Sequence, residues 1–564
     1  MKKIISSIIF SLGIAFSQVN YYVSTIGNDI NNGSFGTPWL TIQFGLSQLA
    51  TNDTLNILTG TYNEKISIPI SNIYVRNYLS NAPIIDATGI ISQNPIIDIT
   101  NKSNITIDGL ELKNNIQNDA QGILIEGSGT NITIKNCVIH DIHFSSNPAD
   151  PVNASTNAQG IIVYGSTTIS NLKILNNQLY DCRLGYSEGI AVNGNVDGFE
   201  VFGNSLYNLT NIGIDIIGHE GTCSNPANDQ ARNGLVKNNL VHDCISPYAT
   251  SGGIYVDGGK STIIENNTSY HNGYGIEVGC ENVGKSTDSI TIRNNIFYDN
   301  EVSALALGGF SYPGGSGKVM NSTFRNNTCY YNDSSNSGTG ELYLSYCENC
   351  MIENNIFFTS AQNMLVYADL SQPGLIFNYN TFYCQSGAAS LSADWNGTAF
   401  TNYTSFASGT STNANSVFAD PIFVFANITN PDFHLTTLSP SINAGDPLFV
   451  PGPGEVDMDG EGRTNGIVDC GADEFNGPIG IENFEKMDLY FYPNPTTGII
   501  KINVGTNSFT GCIEVINITG EIILQNEINL ANENQIDLIN QPKGIYFLKL
   551  NDGKKAYIQK ILVQ

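Results

Sequence analysis

The sequence predicts an all-β chain, a long right-handed parallel β-helix (a solenoid) followed by a small separate β unit. Three observations predict it. A segment recurs along the middle of the chain as ITIKNCVIH, LKILNNQLY, FEVFGNSLY, GLVKNNLVH, TIIENNTSY, ITIRNNIFY, STFRNNTCY and MIENNIFF. A second strand recurs between these copies as GILIEG, GIIVYG, GIAVNG, GIDIIG, GIYVDG and GIEVGC. Charged residues make up only 13% of the chain, while Asn, Gly, Ser, Thr and Ile abound, which suits stacked strands and tight turns rather than helices.

Aligned on the second residue of the Asn pair, the first segment places Cys137, Asn177, Asn204, Asn239, Asn267, Asn295, Asn327 and Asn355 in register, at intervals of 27 to 40 residues. A period in the high twenties with variable insertions marks a solenoid, whose coils bury their apolar faces only against neighbours. Stacked asparagines are expected to hydrogen-bond from coil to coil. In the second strand Ile and Val alternate with variable residues, so one side faces a core and the other faces out. His140 and His242 align with Tyr180, Tyr207, Tyr270 and Tyr298, which reads as a column of aromatic turn residues.

The chain divides in order. Residues 1–17 read as a secretory signal, with Lys2 and Lys3 before the apolar run Ile4 to Phe16 and a mature start near Gln18. Residues 18–104 supply the N-terminal segment and the first coils, and the open end of the cylinder needs a cap, because an uncovered terminal coil exposes apolar core and unpaired backbone. Residues 105–416 form the β-helix, 417–476 a module that closes its other end, 477–487 a Gly/Pro linker and 488–564 the terminal β unit.

The formal net charge of -27 excludes nucleic acid and anionic lipid as partners. No segment is long enough for a membrane span, and a monomer is expected. The eleven cysteines are odd in number and irregularly spaced, and most read as small core residues. Cys182 and Cys244 fall two coils apart, roughly 10 Å, beyond disulfide reach.

Outward residues of the second strand form columns. One reads Leu124, Ile162, Ala191, Asp215, Tyr255, Glu277, Ala306; the other, two residues on, reads Glu126, Tyr164, Asn193, Ile217, Asp257, Gly279. Charge therefore gathers on three consecutive coils. Asp257 and Glu277 are diagonal neighbours whose carboxyls could approach to about 5–7 Å, a range that covers retaining and overlaps inverting glycosidases. In such a pair one carboxylate attacks the anomeric carbon and the other delivers a proton. Asp215, Tyr255, His219, Arg232, Lys260 and Glu281 are the expected substrate-binding residues around it. Two long insertions, His219 to Gly234 and the stretch HFSSNPADPVNASTNA, are expected to wall the groove. Asp457, Asp459 and Glu461 alternate before a Gly, loosely like a calcium loop, so calcium is a candidate ligand, though no cofactor is required.

The repeat, the opening stretch YYVSTIGNDINNGSFGTPWLTIQFGL and the stretch LNILTGTYNEKI resemble the pectate-lyase-like superfamily of secreted, carbohydrate-active β-helices. That resemblance implies an opening strand from Tyr22 to Ile42 and a short helix near Ile42 to Leu49 that covers the open end of the cylinder. The pair GIYVDG and YGIEVG resembles the active-site coils of the β-helical β-xylosidases, which implies a nucleophile at Asp257 and an acid/base at Glu277. VDMDGEGRTNGIVDCGADEF resembles the terminal module of bacterial surface β-helix proteins. YPNPTTG and the terminal KILVQ resemble the C-terminal sorting domain of the type IX secretion system. That implies a small β-sandwich, a Bacteroidetes-type organism, handling by the secretion machinery, and a secreted or outer-membrane-attached product.

Three functions follow as expectations. The first is a glycoside hydrolase of a plant or algal type polysaccharide or oligosaccharide. The second is a polysaccharide lyase in which Lys260 or Arg232 abstracts a proton beside calcium. The third is a non-catalytic glycan-binding or adhesive surface protein. Three carboxylates against two cations on the charged face favour a neutral glycan.

Overall fold

The structure, a computed structural model, describes residues 18–477 except 411 and 464, and 490–564 except 504–508, 518–521, 531–533 and 552–555. The export signal and most of the linker lie outside the described residues. The chain forms two compact units, 1–476 and 477–564.

In the first unit each coil contributes strands to three parallel ladders. One ladder stacks Ala120–Glu126, Ala158–Leu175, Gln178–Phe202, Ser205–Ile217, Gly252–Asp257 and Tyr274–Gly279, each parallel to the next. A second stacks Arg232–Lys237, Ile263–Glu265, Thr291–Arg293 and Thr323–Arg325, and a third stacks Leu240–Cys244, Thr268–Tyr270, Ile296–Tyr298 and Thr328–Tyr330. Inward Ile, Leu and Val from all three ladders fill one continuous core.

The Asn pair is the two-residue corner between the second and third ladders. Its first member sits in the left-handed region, with φ between 53° and 58° at Asn176, Asn238, Asn266, Asn294, Asn326 and Asn354, a conformation Asn tolerates better than most side chains. The second member turns inward and stacks. Asn295 Oδ1 accepts both the backbone N–H and the amide of Asn267, each at 2.9 Å, while its own amide donates to Ile264 O, Arg293 O and Asn327 Oδ1. The ladder runs from the Cys137 N–H to Asn380, one rung beyond the copies aligned in the sequence. Asn295 is fully buried, so Asn295→Ala orphans donors and acceptors on both neighbouring coils. We expect it to destabilise the unit by about 3 kcal/mol. Asn171→Gly, which removes the side chain from the exposed Asn131–Asn171 stack while suiting the left-handed backbone there (φ 48°), should cost well under 1 kcal/mol. Urea unfolding of the two variants side by side checks this, and equal losses would refute it.

The aromatic column is continuous. His140, Tyr180, Tyr207, His242, Tyr270 and Tyr298 stack with ring centroids 4.6 to 5.2 Å apart. All eleven cysteines are free, and ten are buried.

Both ends differ in detail from the expectation. Only Asn20–Val23 of the opening segment is strand; it pairs with Thr54–Ile57, and residues 24–41 fold as turns around Trp39. The helix Ile42–Gln48 puts Ile42 and Leu46 into the end of the core. At the far end the cylinder is covered by the hairpin Ser392–Trp395/Thr398–Phe400 and the helix Tyr403–Thr410, whose Phe406 packs on Phe377, Trp395 and Phe400. The module of residues 417–476 therefore gives that end only its first strand, Val417–Phe418, which pairs with Thr381–Tyr383. It folds back along the asparagine corner: Asn266 donates to Asp457 O, Asn326 to Asp469 O, and Asp446 N–H to Asn354 Oδ1. The buried Glu455 carboxylate clamps Arg293 at 2.8 Å and Arg325 at 2.7 Å. The physical reason is that left-handed corners leave polar groups pointing outward, which this segment satisfies.

In the second unit Tyr490–Tyr492, Ile499–Asn503 and Asn534–Asp537 form one antiparallel sheet. Ile522–Leu530, Phe509–Asn517, Gly544–Asn551 and Ala556–Val563 form another. Ile500, Ile502 and Ile536 of the first meet Val515, Leu548 and Ile561 of the second in one small core, a β-sandwich.

Candidate active site

The register confirms the first outward column residue by residue: Leu124 pairs with Ile162, then Ala191, Asp215, Tyr255, Glu277 and Ala306. The second column holds from Glu126 through Tyr164 and Asn193 to Ile217, and Asp257 pairs with Gly279. Between Ile217 and Asp257 the parallel pairing stops, ending at Ile216 and Val256, and Ile217 instead makes an antiparallel bridge to Gly258. Asp257 and Glu277 are diagonal neighbours on adjacent strands, as the spacing predicts.

Asp215, Tyr255, Asp257, Glu277 and Glu281 line a single cavity of about 560 Å³. Glu188 joins them, and the sequence reading missed it. Asp215 and Asp257 are buried; Glu188 and Glu277 are half-buried. The backbone N–H of Glu281 donates to Asp257 Oδ1 at 2.7 Å, whereas Asp215 Oδ1 has no hydrogen-bond partner. Crowding so many carboxyls away from water favours their neutral forms. Burial, with the neighbouring Glu281 and Asp257, pushes Glu277 up to about 8. Burial, with Glu281 and Glu220, also pushes Glu188 up to about 8. Asp215 and Asp257 are raised well above the usual carboxylate range, chiefly by burial and then by the carboxylates around them. The Tyr255 hydroxyl is raised as well, again first by burial.

Both insertions reach the rim, where Glu220 and Asn157 join the lining, and so does the short loop that carries Tyr248 and Ser251. Asp229 braces the first insertion by accepting the N–H groups of Gly221 and Cys223. Glu277 also borders a smaller cavity of about 260 Å³ floored by Tyr274, Tyr343 and Phe310, so it stands between two compartments.

The structure does not bring His219, Arg232 and Lys260 into the cavity. Gly258 and Gly259 turn the chain off the site ladder, so Lys260 lies beyond the corner, facing Asp288 at 3.9 Å. Arg232 is on the same second ladder, paired with Asp197 at 3.1 Å and with Asn195. His219 sits behind the wall with Nε2 on Ser286 O at 3.2 Å, and burial lowers its pKa. Among the described residues lining the cavity there is no Lys, Arg or His.

Asp457, Asp459 and Glu461 do not converge as a calcium loop would. Asp457 is consumed by backbone, accepting from the N–H groups of Asp459, Glu461 and Glu474. Among the described residues, the group whose possible ligand atoms lie within 4.8 Å of one another is His434, Asp459 and Asp473.

Residues 159–337 and 227–405 match the family described as "Right handed beta helix region", and residues 490–564 match "Secretion system C-terminal sorting domain". The chain is 33% identical over 441 residues to the uncharacterized protein YwoF of Bacillus subtilis (strain 168), covering 74% of this chain and 91% of that one. It belongs to the YwoF family of right-handed parallel β-helix proteins. Its sorting domain assigns it to type IX secretion and delivery to the cell surface or the extracellular space. Among the described residues no helix is long and apolar enough to cross a membrane.

Solved structures of similar fold include pectate lyase Pel9A, 16% identical, covering 82% of this chain and 98% of that one, with a TM-score of 0.44. The A-module of the Azotobacter vinelandii mannuronan C-5 epimerase AlgE6 is 14% identical over 65% of this chain and 91% of its own, with a TM-score of 0.45. XylC, in complex with xylose, is 10% identical over 96% and 100%, with a TM-score of 0.41.

Proposed function

We propose that this protein is a glycoside hydrolase, delivered outside the cell, that cleaves a neutral polysaccharide or oligosaccharide of plant or algal type with Asp257 and Glu277. The observation that carries this reading is the convergence of Asp215, Asp257, Glu277 and Glu188 in one cavity with no cation in its lining. Carboxyl groups hydrogen-bond sugar hydroxyls, and with no Lys, Arg or His among the described lining residues nothing there offsets the charge of a buried uronate. Lyase chemistry loses its support, because Lys260 and Arg232 are engaged elsewhere and Tyr255 is held protonated.

The roles follow from the local hydrogen bonding. Burial raises Asp257 along with its neighbours, but it alone of the pair has a backbone donor, the Glu281 N–H, that favours its charged form, so of the two Asp257 suits the nucleophile. Glu277, raised to about 8, keeps its proton at neutral pH and can pass it to the departing glycosidic oxygen. Asp215 holds the substrate from the preceding coil. The reading requires no metal or other cofactor.

The test is incubation of the protein with xylans, glucans, mannans, pectin and alginate. New reducing ends without the ultraviolet absorbance of an unsaturated uronate, lost in Asp257→Asn, support the reading. Turnover that survives both Asp257→Asn and Glu277→Gln refutes the site. Binding without turnover on any glycan would favour a surface adhesin.

A further inference from the structure

The half of the cavity away from Asp257 and Glu277 is built as carefully as the carboxylate half. Gln121 and Gln159 stack on adjacent coils, both are buried, and the side-chain oxygen of each has no partner in the protein. An orphaned buried carbonyl is costly unless something donates to it.

A hydrogen-bond relay fixes which way Gln159 points. The Asp119 carboxylate only accepts, so the Asn157 amide nitrogen faces it at 3.4 Å and the Asn157 oxygen faces away. The Ser187 hydroxyl donates to that oxygen at 3.1 Å. Its own oxygen is then left to accept from the Gln159 amide nitrogen at 3.0 Å. The Gln159 carbonyl is thereby held as an unpartnered acceptor on a residue that lines the cavity. A partner at this point must donate.

Two further features lie near this acceptor. Ile162, Ala191 and Ile217, with Tyr164 against them, form a small apolar cluster on the outer face of the ladder, separate from the core. At the rim Tyr186 and Tyr248 stack with centroids 4.8 Å apart and planes 16° apart, and Tyr186 is 47% exposed. Acceptors, an apolar floor and an aromatic wall are what a sugar ring meets in a binding site: hydroxyls need acceptors, and the C–H face needs apolar contact.

Gln159 is two coils from Asp215 and four from Glu277 along the registered ladder. At ~4.8 Å per strand these spans are about 10 and 19 Å, more than one sugar ring bridges. We propose that the cavity takes an uncharged oligosaccharide along the cylinder axis. Its reacting end lies over the carboxylates, and at least one further ring is held by Gln121, Gln159 and the Tyr186–Tyr248 wall. This rests on reading the cavity as a glycan site, and it adds that the ligand is an oligomer and that these four residues set its length and charge.

The test is calorimetric titration of the full chain in the Asp257→Asn background, with mono- and tetrasaccharides of xylose, glucose, mannose and galactose, and with tetragalacturonate. For the neutral series that binds, the tetramer should bind at least about tenfold tighter than the monomer. Gln159→Leu and Tyr186→Ala should each cut that tetramer-to-monomer ratio about fivefold. Tyr186 is at the exposed rim, so its variant keeps the test valid should Gln159→Leu fail to fold. A ratio unchanged in Tyr186→Ala and in folded Gln159→Leu, or equal binding of monomer and tetramer, overturns the second station while leaving the hydrolase reading intact. Tetragalacturonate binding as tightly as the neutral tetramers overturns the acceptor argument. No binding by any sugar overturns this proposal and the hydrolase reading together.

Discussion

Asp257→Asn is expected to lower kcat/KM by about a thousandfold or more, and Glu277→Gln by about 10²–10⁴-fold, on the glycan that the wild type cleaves. The two losses have different causes and separate experimentally. An amide at 257 accepts the same Glu281 N–H that now reaches Asp257 Oδ1, so the fold and the binding of sugar survive while the nucleophile is gone. The deficit should therefore be as large on an aryl glycoside as on the natural bond. An amide at 277 cannot give up a proton. Its deficit should shrink on a substrate whose leaving group departs without one, and the limb of the pH profile set by Glu277, raised to about 8, should vanish. Initial rates of both variants on a dinitrophenyl glycoside and on the oligosaccharide check the assignment. Equal deficits on both substrates for Glu277→Gln would remove it from the acid role.

Most of the cylinder was legible in the sequence because its physics is periodic. A two-residue corner needs one residue that tolerates left-handed backbone and one that hydrogen-bonds along the axis, and Asn-Asn supplies both, as at Asn266 and Asn267. Outward columns follow from counting, which is why Asp215, Tyr255 and Glu277 were found in register. What escaped lies where the counting breaks. Strict alternation back from Ile123 assigns Gln121 to the core side, yet it is the second residue of its strand, just after the left-handed Asp119 corner, and lines the cavity. Glu188 escapes in the same way, two residues before Ile190. Lys260 was misplaced for the opposite reason: nearness to Asp257 in sequence does not survive the turn at Gly258, which has φ of 73°. The path of residues 417–476 is not periodic at all, and its docking depends on contacts such as Glu455 with Arg293 and Arg325 that no local pattern announces.

Glu277→Gln, the substitution that removes activity, is also expected to raise stability at alkaline pH. Glu277 and Glu188 are raised to about 8 in the folded protein, against 4.5 for the unperturbed group. Between those values the folded chain binds more protons than the unfolded one, so stability falls as pH rises through that window. Below about pH 4.5 both states are protonated and the penalty is absent; above about pH 8 it is complete. Buried Asp215 and Asp257, raised by the same crowding, add to the trend. A neutral amide at 277 mimics the protonated acid. Its melting temperature should therefore exceed the wild type's by several degrees at pH 8.5 and match it near pH 4.5, with Glu188→Gln behaving alike. Carboxylates shifted because they pack the core tightly would lose stability on substitution at every pH, whereas carboxylates kept at a folding cost for catalysis gain it only where they would otherwise ionise. Calorimetric scans of wild type and both variants at the two pH values distinguish these cases. A variant that melts below wild type at pH 8.5 would mean that Glu277 holds the wall together rather than straining it.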